Sequence, residues 1–414
     1  MNSVTSVVLA VVLVASLLAM PVIASSPTPD AATDDDPSLA LQQVETQSST
    51  PTEVEHTTNR LQLTGEIRNE RIEYGSDLGV ALASADDQLR VDYEQYTLID
   101  AEFATASADE REDMIRAAYN DITDRTDRLE EREREAVRAH ASGTISDSEL
   151  IQTLVRNHNE AAALSDALDE LTDRTDEVPG YALSRQQVRA DRTTLELYQT
   201  SLRTTLERAS QSSSVDRTVD LQVQTSQDGY RLSTIENEMY VVETVRFDNR
   251  DADAPNQFEN LTTSEMVERA TEYYPWADEH GMPSFRDSSA ENLYVTTIDL
   301  DHSQLQMYLD GGTAEIHREI QELSLASLPA EDEETWTGDG LEVSLTETPA
   351  NGPAAVTVID SATDEPTSAT ITIGGVEVGD TGADGTLWFV PPVGEYELAV
   401  ETGTDSTTVT VPNG

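Results

Sequence analysis

Few residues in this chain have the types and spacing to do chemistry. Asp248, Asp251 and Asp253 fall together in FDNRDADAP, and three carboxylates on one short turn offer the hard oxygen ligands that Ca²⁺ takes. The turn lacks the glycine and the full spacing of a helix–loop–helix calcium site, and in so acidic a chain a solvated acidic turn is the simpler reading. Asn260-Leu261-Thr262 is the one N-x-Ser/Thr sequence, which makes Asn260 a candidate N-glycosylation acceptor on an exposed loop of an exported protein. Tyr273, Tyr274, Trp276 and Trp388 offer apolar contact area to a ligand; packed into a core, the same rings contribute only burial. The histidines at 56, 140, 158, 280, 302 and 317 follow no metal-ligand spacing, and H-E-x-x-H, G-x-S-x-G and a glycine-rich phosphate loop do not occur. Serine and aspartate are too abundant for a triad assembled from distant positions to be inferred. The expectation is therefore a non-enzymatic protein with no catalytic residue and no cofactor, Ca²⁺ at the 248–253 turn being the one metal worth testing.

Charge narrows the field further. Acidic residues number 80 against 25 basic ones, a formal charge of −55 over 414 residues, and every basic residue is arginine. Such a chain repels itself at ordinary ionic strength, whereas at molar salt the screening length falls to about 3 Å. A halophilic owner follows. An acidic disordered chain does not fit, because valine, leucine and isoleucine recur in periodic blocks. Nucleic acid would need a cationic patch that no segment supplies, and the same deficit argues against adsorption to anionic lipid. Without cysteine there are no disulfides, no thiolate chemistry and no lipid attachment through that residue.

From Val4 to Ala24 the chain is uncharged and apolar, long enough to cross a hydrocarbon core, and Val22 with Ala24 fits a small-residue cleavage pattern. Residues 1–24 are expected to be a signal peptide or an N-terminal membrane anchor. Either way the protein is extracytoplasmic, secreted or anchored at the outer face of the cell membrane. Residues 25–59, rich in Ser, Thr, Pro and Asp, read as a disordered acidic stalk.

These candidate groups must be positioned by the elements that follow. Over 60–210 four stretches carry apolar residues at helical spacing, near 76–104, 109–140, 147–174 and 184–209. In the first, Leu82, Leu89, Tyr96 and Phe103 fall seven apart, with Leu78, Ala85 and Ile99 beside them; the second repeats Ile115, Ile122, Leu129 and Ala136. The third runs through Leu150, Leu154, Asn157, Ala161, Leu164, Leu168 and Leu171, leaving Glu160, Asp166, Asp169 and Glu170 to water. The fourth carries Val188, Leu195, Leu202, Leu206 and Ala209. Ser146 with Glu149 and Ser184 with Gln187 read as capping boxes. Asp92 and Asn157 sit in seam positions, where a polar side chain either fixes register or marks where the seam meets water. No stripe buries itself, so an antiparallel helical bundle or coiled hairpins are expected.

Residues 216–328 alternate as strands at 218–224, 239–247 and 293–300 around a helix begun by Thr262 and Glu265, an α+β domain. An acidic linker, 329–350, should extend by self-repulsion. Residues 351–414 carry short alternating strands between glycine and proline turns, a β-sandwich. The whole reads as a multidomain chain: helical bundle, α+β domain, C-terminal β-sandwich. VTVIDSATDEPTSATITIGG followed by GDTGADGTLWFVPPVGEYELAV resembles the transthyretin-like, or carboxypeptidase-regulatory-like, modules over about 353–411. That resemblance implies a structural or recognition appendage, with Asp384 and Gly385 in the family's turn and Pro392, Gly394 and Tyr396 in its return. The helical and middle regions, with the all-arginine acidic composition, resemble secreted haloarchaeal surface-type proteins. A cell-surface structural or protein-interaction role is the leading expectation, with an unknown protein or cell-envelope component as partner. An extracellular solute- or carbohydrate-binding protein and a hydrolase of unknown type are the alternatives.

Overall fold

Alternation of apolar and polar residues over 219–226, 229–236 and 239–246 builds three strands whose two faces are both covered. The computed structural model describes residues 42–43, 50–212, 218–288 and 292–412. Strands β1 (Gln42–Gln43), β2 (Glu66–Tyr74), β3 (Val219–Ser226), β4 (Gly229–Glu236), β5 (Met239–Arg246), β6 (Met282–Ser288), β7 (Leu293–Leu300), β8 (Ser303–Asp310) and β9 (Ile316–Ser324) form one nine-stranded sheet. Its order is β1-β2-β3-β4-β5-β9-β8-β7-β6, antiparallel throughout. The Val4–Ala24 run and most of the expected stalk lie outside the described residues; among those described, no helix is long and apolar enough to cross a membrane.

The helical layer comprises α1 (Leu78–Gln95), α2 (Ala108–Ala141), α3 (Asp147–Thr175), α4 (Arg185–Glu196) and α5 (Ser201–Ser210). Ser107 with Glu110 and Ser146 with Glu149 close full capping boxes ahead of α2 and α3, each satisfying two otherwise orphaned amide donors. Ser184 caps α4 through the Gln187 amide. The fourth expected helix is two. The chain turns after Leu197, whose carbonyl accepts from Arg318, and Thr200 caps a fresh start at α5. The seams of α2 and α3 meet as expected: Ile115, Ile122, Leu129, Leu164 and Leu168 are all fully buried in one cluster, which takes in Val295, Tyr308 and Ile320 from the sheet. A second cluster joins Leu150, Leu154, Leu202 and Leu206 to Leu221, Val223 and Val245. Segments 60–210 and 216–328 therefore share cores, and they also share a sheet, since β2 pairs with β3.

Several expectations need correction. In α1 the seven-residue seam faces water: Leu82 and Leu89 are 64 % and 66 % exposed, while Val80, Ser84, Asp87 and Val91 are buried. The buried stripe is polar enough to be missed, because Arg156 neutralises Asp87 through two hydrogen bonds and Asn159 bonds Ser84. A π turn over Tyr96–Asp100 then shifts the helical phase, returning Ile99 and Phe103 to the core. Glu160 is not wet; it is buried and held by Arg125 and Arg132 at 2.9 and 2.7 Å. Asn157 does not mark a wet seam either. It is fully buried, its amide donating to the Leu129 carbonyl and to Glu133 while its oxygen accepts from Arg132.

The opposite sheet face is covered by residues 50–63, by α6 (Thr263–Thr271) and α7 (Pro275–His280), and by the C-terminal sandwich. Residues 50–59 thus pack rather than extend as stalk. Arg231 and Arg246 donate to the carbonyls of Leu61 and Gln62, Gln321 donates to that of Asn59, and Glu319 accepts from the Leu61 amide.

The expected linker is a hairpin: β10 (Asp332–Gly338) and β11 (Leu341–Glu347) pair across Asp339 and Gly340, both at positive φ, the two-residue turn that matches strand twist. Leu341, Val343 and Leu345 point inward, and burial of that alternating set outweighs repulsion among the exposed carboxylates of β10. With β12 (Ala354–Asp360), β13 (Glu365–Pro366) and β16 (Thr386–Phe389) they form one sheet. β14 (Thr370–Ile373), β15 (Val376–Asp380), β17 (Tyr396–Glu401) and β18 (Ser406–Val411) form the other, and an apolar core lies between them.

Candidate functional site

Buried charge gathers where helices meet sheet. α2 supplies Glu133, α5 Arg203, β4 Tyr230, β5 Glu243 and β9 Arg318, none more than 2 % exposed. Arg203 forks onto both oxygens of Glu133 at 2.9 and 2.8 Å and reaches Glu243 at 3.1 Å. Arg318 donates to Glu133 at 3.0 Å, and the Thr200 hydroxyl donates to Glu243 at 2.6 Å. The Tyr230 hydroxyl lies 2.7 Å from Glu243 and 2.9 Å from Glu133. Burial alone would raise the Glu133 carboxyl, but the guanidinium groups of Arg203 and Arg318 outweigh it and hold it down at about 2. Glu243 is lowered against the same burial by the same two arginines. Burial pushes the Tyr230 hydroxyl well up. Both carboxylates stay ionised and the phenol stays protonated at neutral pH, so the cluster has no proton poised for transfer. Its charge-assisted, forked hydrogen bonds fix how α2, α5, β4, β5 and β9 sit against one another.

The sequence carried a signal for this cluster that spacing arguments pass over. Glu243 occupies the same strand face as Val241 and Val245, and Arg203 adjoins Leu202 on a buried helix. A charge of each sign on two core-facing stripes must be paired.

The expected site residues do not converge. Asp248 is taken by Arg246, with both oxygens accepting, at 2.8 and 2.7 Å. Asp251 closes a turn by accepting from the Asp253 and Ala254 amides at 3.2 and 3.1 Å. Among the described residues, no group of three acidic or histidine side chains has metal-holding geometry. Tyr274 is fully buried and donates to Glu319 at 2.6 Å; Tyr273 donates to the Ala314 carbonyl at 2.7 Å. Trp276 stacks on His280 with centroids 4.5 Å apart, and Trp388 packs at the sandwich–sheet junction with Tyr240 and Val242. Tyr273, Tyr274 and Trp276 thus serve the α6–α7 core, away from Trp388. Asn260 is exposed, while the Thr262 hydroxyl caps α6 against Glu265. A cleft of about 480 Å³ beside it is lined by Asn256, Phe258, Met266 and Tyr294, none of them expected.

A helical layer on an antiparallel sheet, with an appended β-sandwich and an internal charge cluster, defines a multidomain protein of helical, α+β and β-sandwich parts. Residues 1–215 match the family model described as a domain of unknown function, DUF7096, and because that match spans more than half of the chain, the protein belongs to this family. Residues 221–329 match a second family of unknown function, DUF7094, and residues 332–409 match the archaeal fibronectin-III type-like domain. The protein is thus an archaeal multidomain protein with a β-sandwich C-terminus. No curated protein and no solved structure matches the chain.

Proposed function

We propose that this is a non-enzymatic cell-surface structural or interaction protein of a salt-adapted archaeon, exported or anchored through residues 4–24, with a protein or cell-envelope component as partner. The observation that carries the reading is the fibronectin-III type-like sandwich, a kind of domain that fits a surface or interaction role. It is held against the sheet by Arg71 donating to the Val390 carbonyl and Arg60 to that of Ala350. The resemblance of 353–411 to transthyretin-like appendages supports the same role. There Asp384 accepts from the Thr386 amide, and Gly385 takes the positive φ of the turn. The −55 charge supports salt adaptation, and the exposure of Asn260 supports glycosylation of an exported chain. Protease shaving of intact native cells in their own salt, followed by detection of the sandwich, tests the reading. Release of sandwich fragments without lysis is expected; complete protection until lysis would overturn it. Peptide mass spectrometry of the same material should find a modified Asn260.

A further inference from the structure

The outward stripe of α1 carries most of the exposed large hydrophobic side chains among the described residues: Leu78, Leu82, Leu89, Tyr93 and Tyr96, each 57–74 % exposed. With Ala85, also exposed, they lie within about 80° of one another around the helix. The helix cannot roll to hide them, because its other face is pinned to α3 by Arg156 on Asp87, Asn159 on Ser84 and Gln152 on Asp77.

We propose that α1 is a homodimerisation helix, packing antiparallel against α1 of a second copy about a two-fold axis at the level of residue 87. Spacing, layer composition and charge each select this occupant. Leu82, Leu89 and Tyr96 repeat every seven residues, the period of helices that wrap one another rather than of a helix lying on a sheet. The stripe is also partly palindromic: 78 and 96, and 85 and 89, are pairs equidistant from 87, so reversal superposes four of its six positions on one another, as suits an isologous contact. That register sets Leu78 against Tyr96 and Ala85 against Leu89 of the second copy, large side chains meeting smaller ones. It sets Asp92 opposite Leu82, whereas parallel in-register pairing would set Asp92 against Asp92 in a chain already at −55. Asp86 and Arg90, paired at 2.9 Å on one edge of the stripe, come within a helical turn of the same pair reversed, so each Arg90 approaches the second copy's Asp86 as closely as the two Asp86 approach each other. The contact is about 27 Å long and small for a stable dimer, so it should strengthen with salt, which screens the repulsion of two polyanions.

Sedimentation equilibrium of the full chain in mild detergent, across a KCl series up to molar concentration, tests this directly. A monomer–dimer equilibrium that tightens with salt is expected, together with its loss in the double variant Leu82→Asp, Leu89→Asp at unchanged circular dichroism. Both positions are exposed, so the variant keeps its fold. The chain has no cysteine, so introduced thiols report register: a short bis-maleimide should join Leu78→Cys to Tyr96→Cys in a mixture and should not join Leu78→Cys to itself. Monomer throughout, a dimer indifferent to the two aspartates, or self-crosslinking of Leu78→Cys would each overturn the proposal. So would an Ala85→Cys thiol shielded in a monomer, which assigns the cover to the chain itself. Monomers that lose binding to uncharged-lipid vesicles in the double variant would assign the stripe to lipid instead. Because cell-surface exposure is read separately by protease shaving, failure here leaves the surface reading standing.

Discussion

The helix–sheet region and the sandwich solve the same charge problem in opposite ways. No basic residue follows Arg318, so the sandwich must fold with carboxylates alone. Its core is aliphatic and aromatic, and two buried threonines, Thr348 and Thr381, donate to backbone carbonyls. The helix–sheet region holds every arginine and draws several inside, where Glu133, Arg203, Glu243 and Arg318 form a closed cluster. A guanidinium buried between two carboxylates is shielded from the solvent that would screen it, whereas repulsion among surface carboxylates is set by solvent. The same chain thus contains one region fixed by internal attraction and one limited by external repulsion.

The largest way to break this contrast is to remove one side of the cluster. Arg203→Met leaves Glu133 and Glu243 buried with Arg318 as their one remaining shared cation and should cost about 3–5 kcal/mol, read by chemical unfolding in molar KCl. A change under about 1 kcal/mol would mean that the cluster does not fix the layers. Packing comes next. Leu164 is fully buried, so Leu164→Ala should cost about 2–5 kcal/mol, while Asp166→Ala at an exposed site should stay within about 0.5 kcal/mol.

Acid should act on Glu133 and Glu347, one in each region, in opposite directions. Glu133 has its folded pKa depressed from 4.5 to about 2, so its contribution is present above about pH 4.5 and is lost as pH falls towards 2. Glu347 in the sandwich is raised by burial and by neighbouring Glu334 and Asp332, so its ionisation costs stability as pH rises and protonation restores it. Glu319, Asp121, Asp127, Asp191 and Asp220, all raised by burial, act in the same sense within the helix–sheet region and partly offset Glu133, while Asp360, lowered by the Ala362 and Thr363 amides, partly offsets Glu347 in the sandwich. Helical circular dichroism followed against the fluorescence of Trp336, which packs on the sandwich core, in a Trp276→Phe, Trp388→Phe background that leaves it the one tryptophan, should show the helical signal failing first in acid. Glu133→Gln should flatten that slope. Dilution from molar to low KCl should reverse the order, with the Trp336 transition falling further than the helical one; equal shifts would erase the contrast.

Much of this arrangement was legible from spacing alone. The α2 and α3 seams, the caps at Ser146 and Thr262 and the alternating strands follow local rules that tertiary contacts did not override. What escaped was set by partners distant in sequence. The buried stripe of α1 looked polar because Asp87 needs Arg156, and the apolar stripe looked internal because periodicity reports a face without saying what covers it. Glu160 was misplaced for the same reason, its partners being arginines on α2, and the wet alternative for Asn157 fails on Leu129, Arg132 and Glu133 of the same helix. The candidate ligand residues were chosen by type, and type cannot separate Tyr274 on Glu319 from a ring waiting for a ligand.

The smallest expected effect tests the hairpin that replaced the expected linker. Asp339-Gly340 between two alternating runs is a strong hairpin signal, overlooked beside the acidic EDEE that precedes it. Gly340 sits at φ +83°, and a Cβ there would approach nothing closer than Asp405 Oδ1 at 3.6 Å, an ordinary contact. Gly340→Ala should therefore carry only the backbone cost of a left-handed residue, about 1 kcal/mol. Gly385 has a similar φ of +73°, but its Cβ would lie 2.6 Å from the Val358 carbonyl, and Gly385→Ala must add displacement of β12 to the same backbone term. Both are read by the Trp336 transition in molar KCl. The ordering Gly385 above Gly340 above zero fits a sandwich that begins at β10. A Gly340→Ala chain as stable as its parent would mean that residues 332–347 contribute no turn to the fold, and the sandwich would then begin where the sequence first placed it, near residue 351.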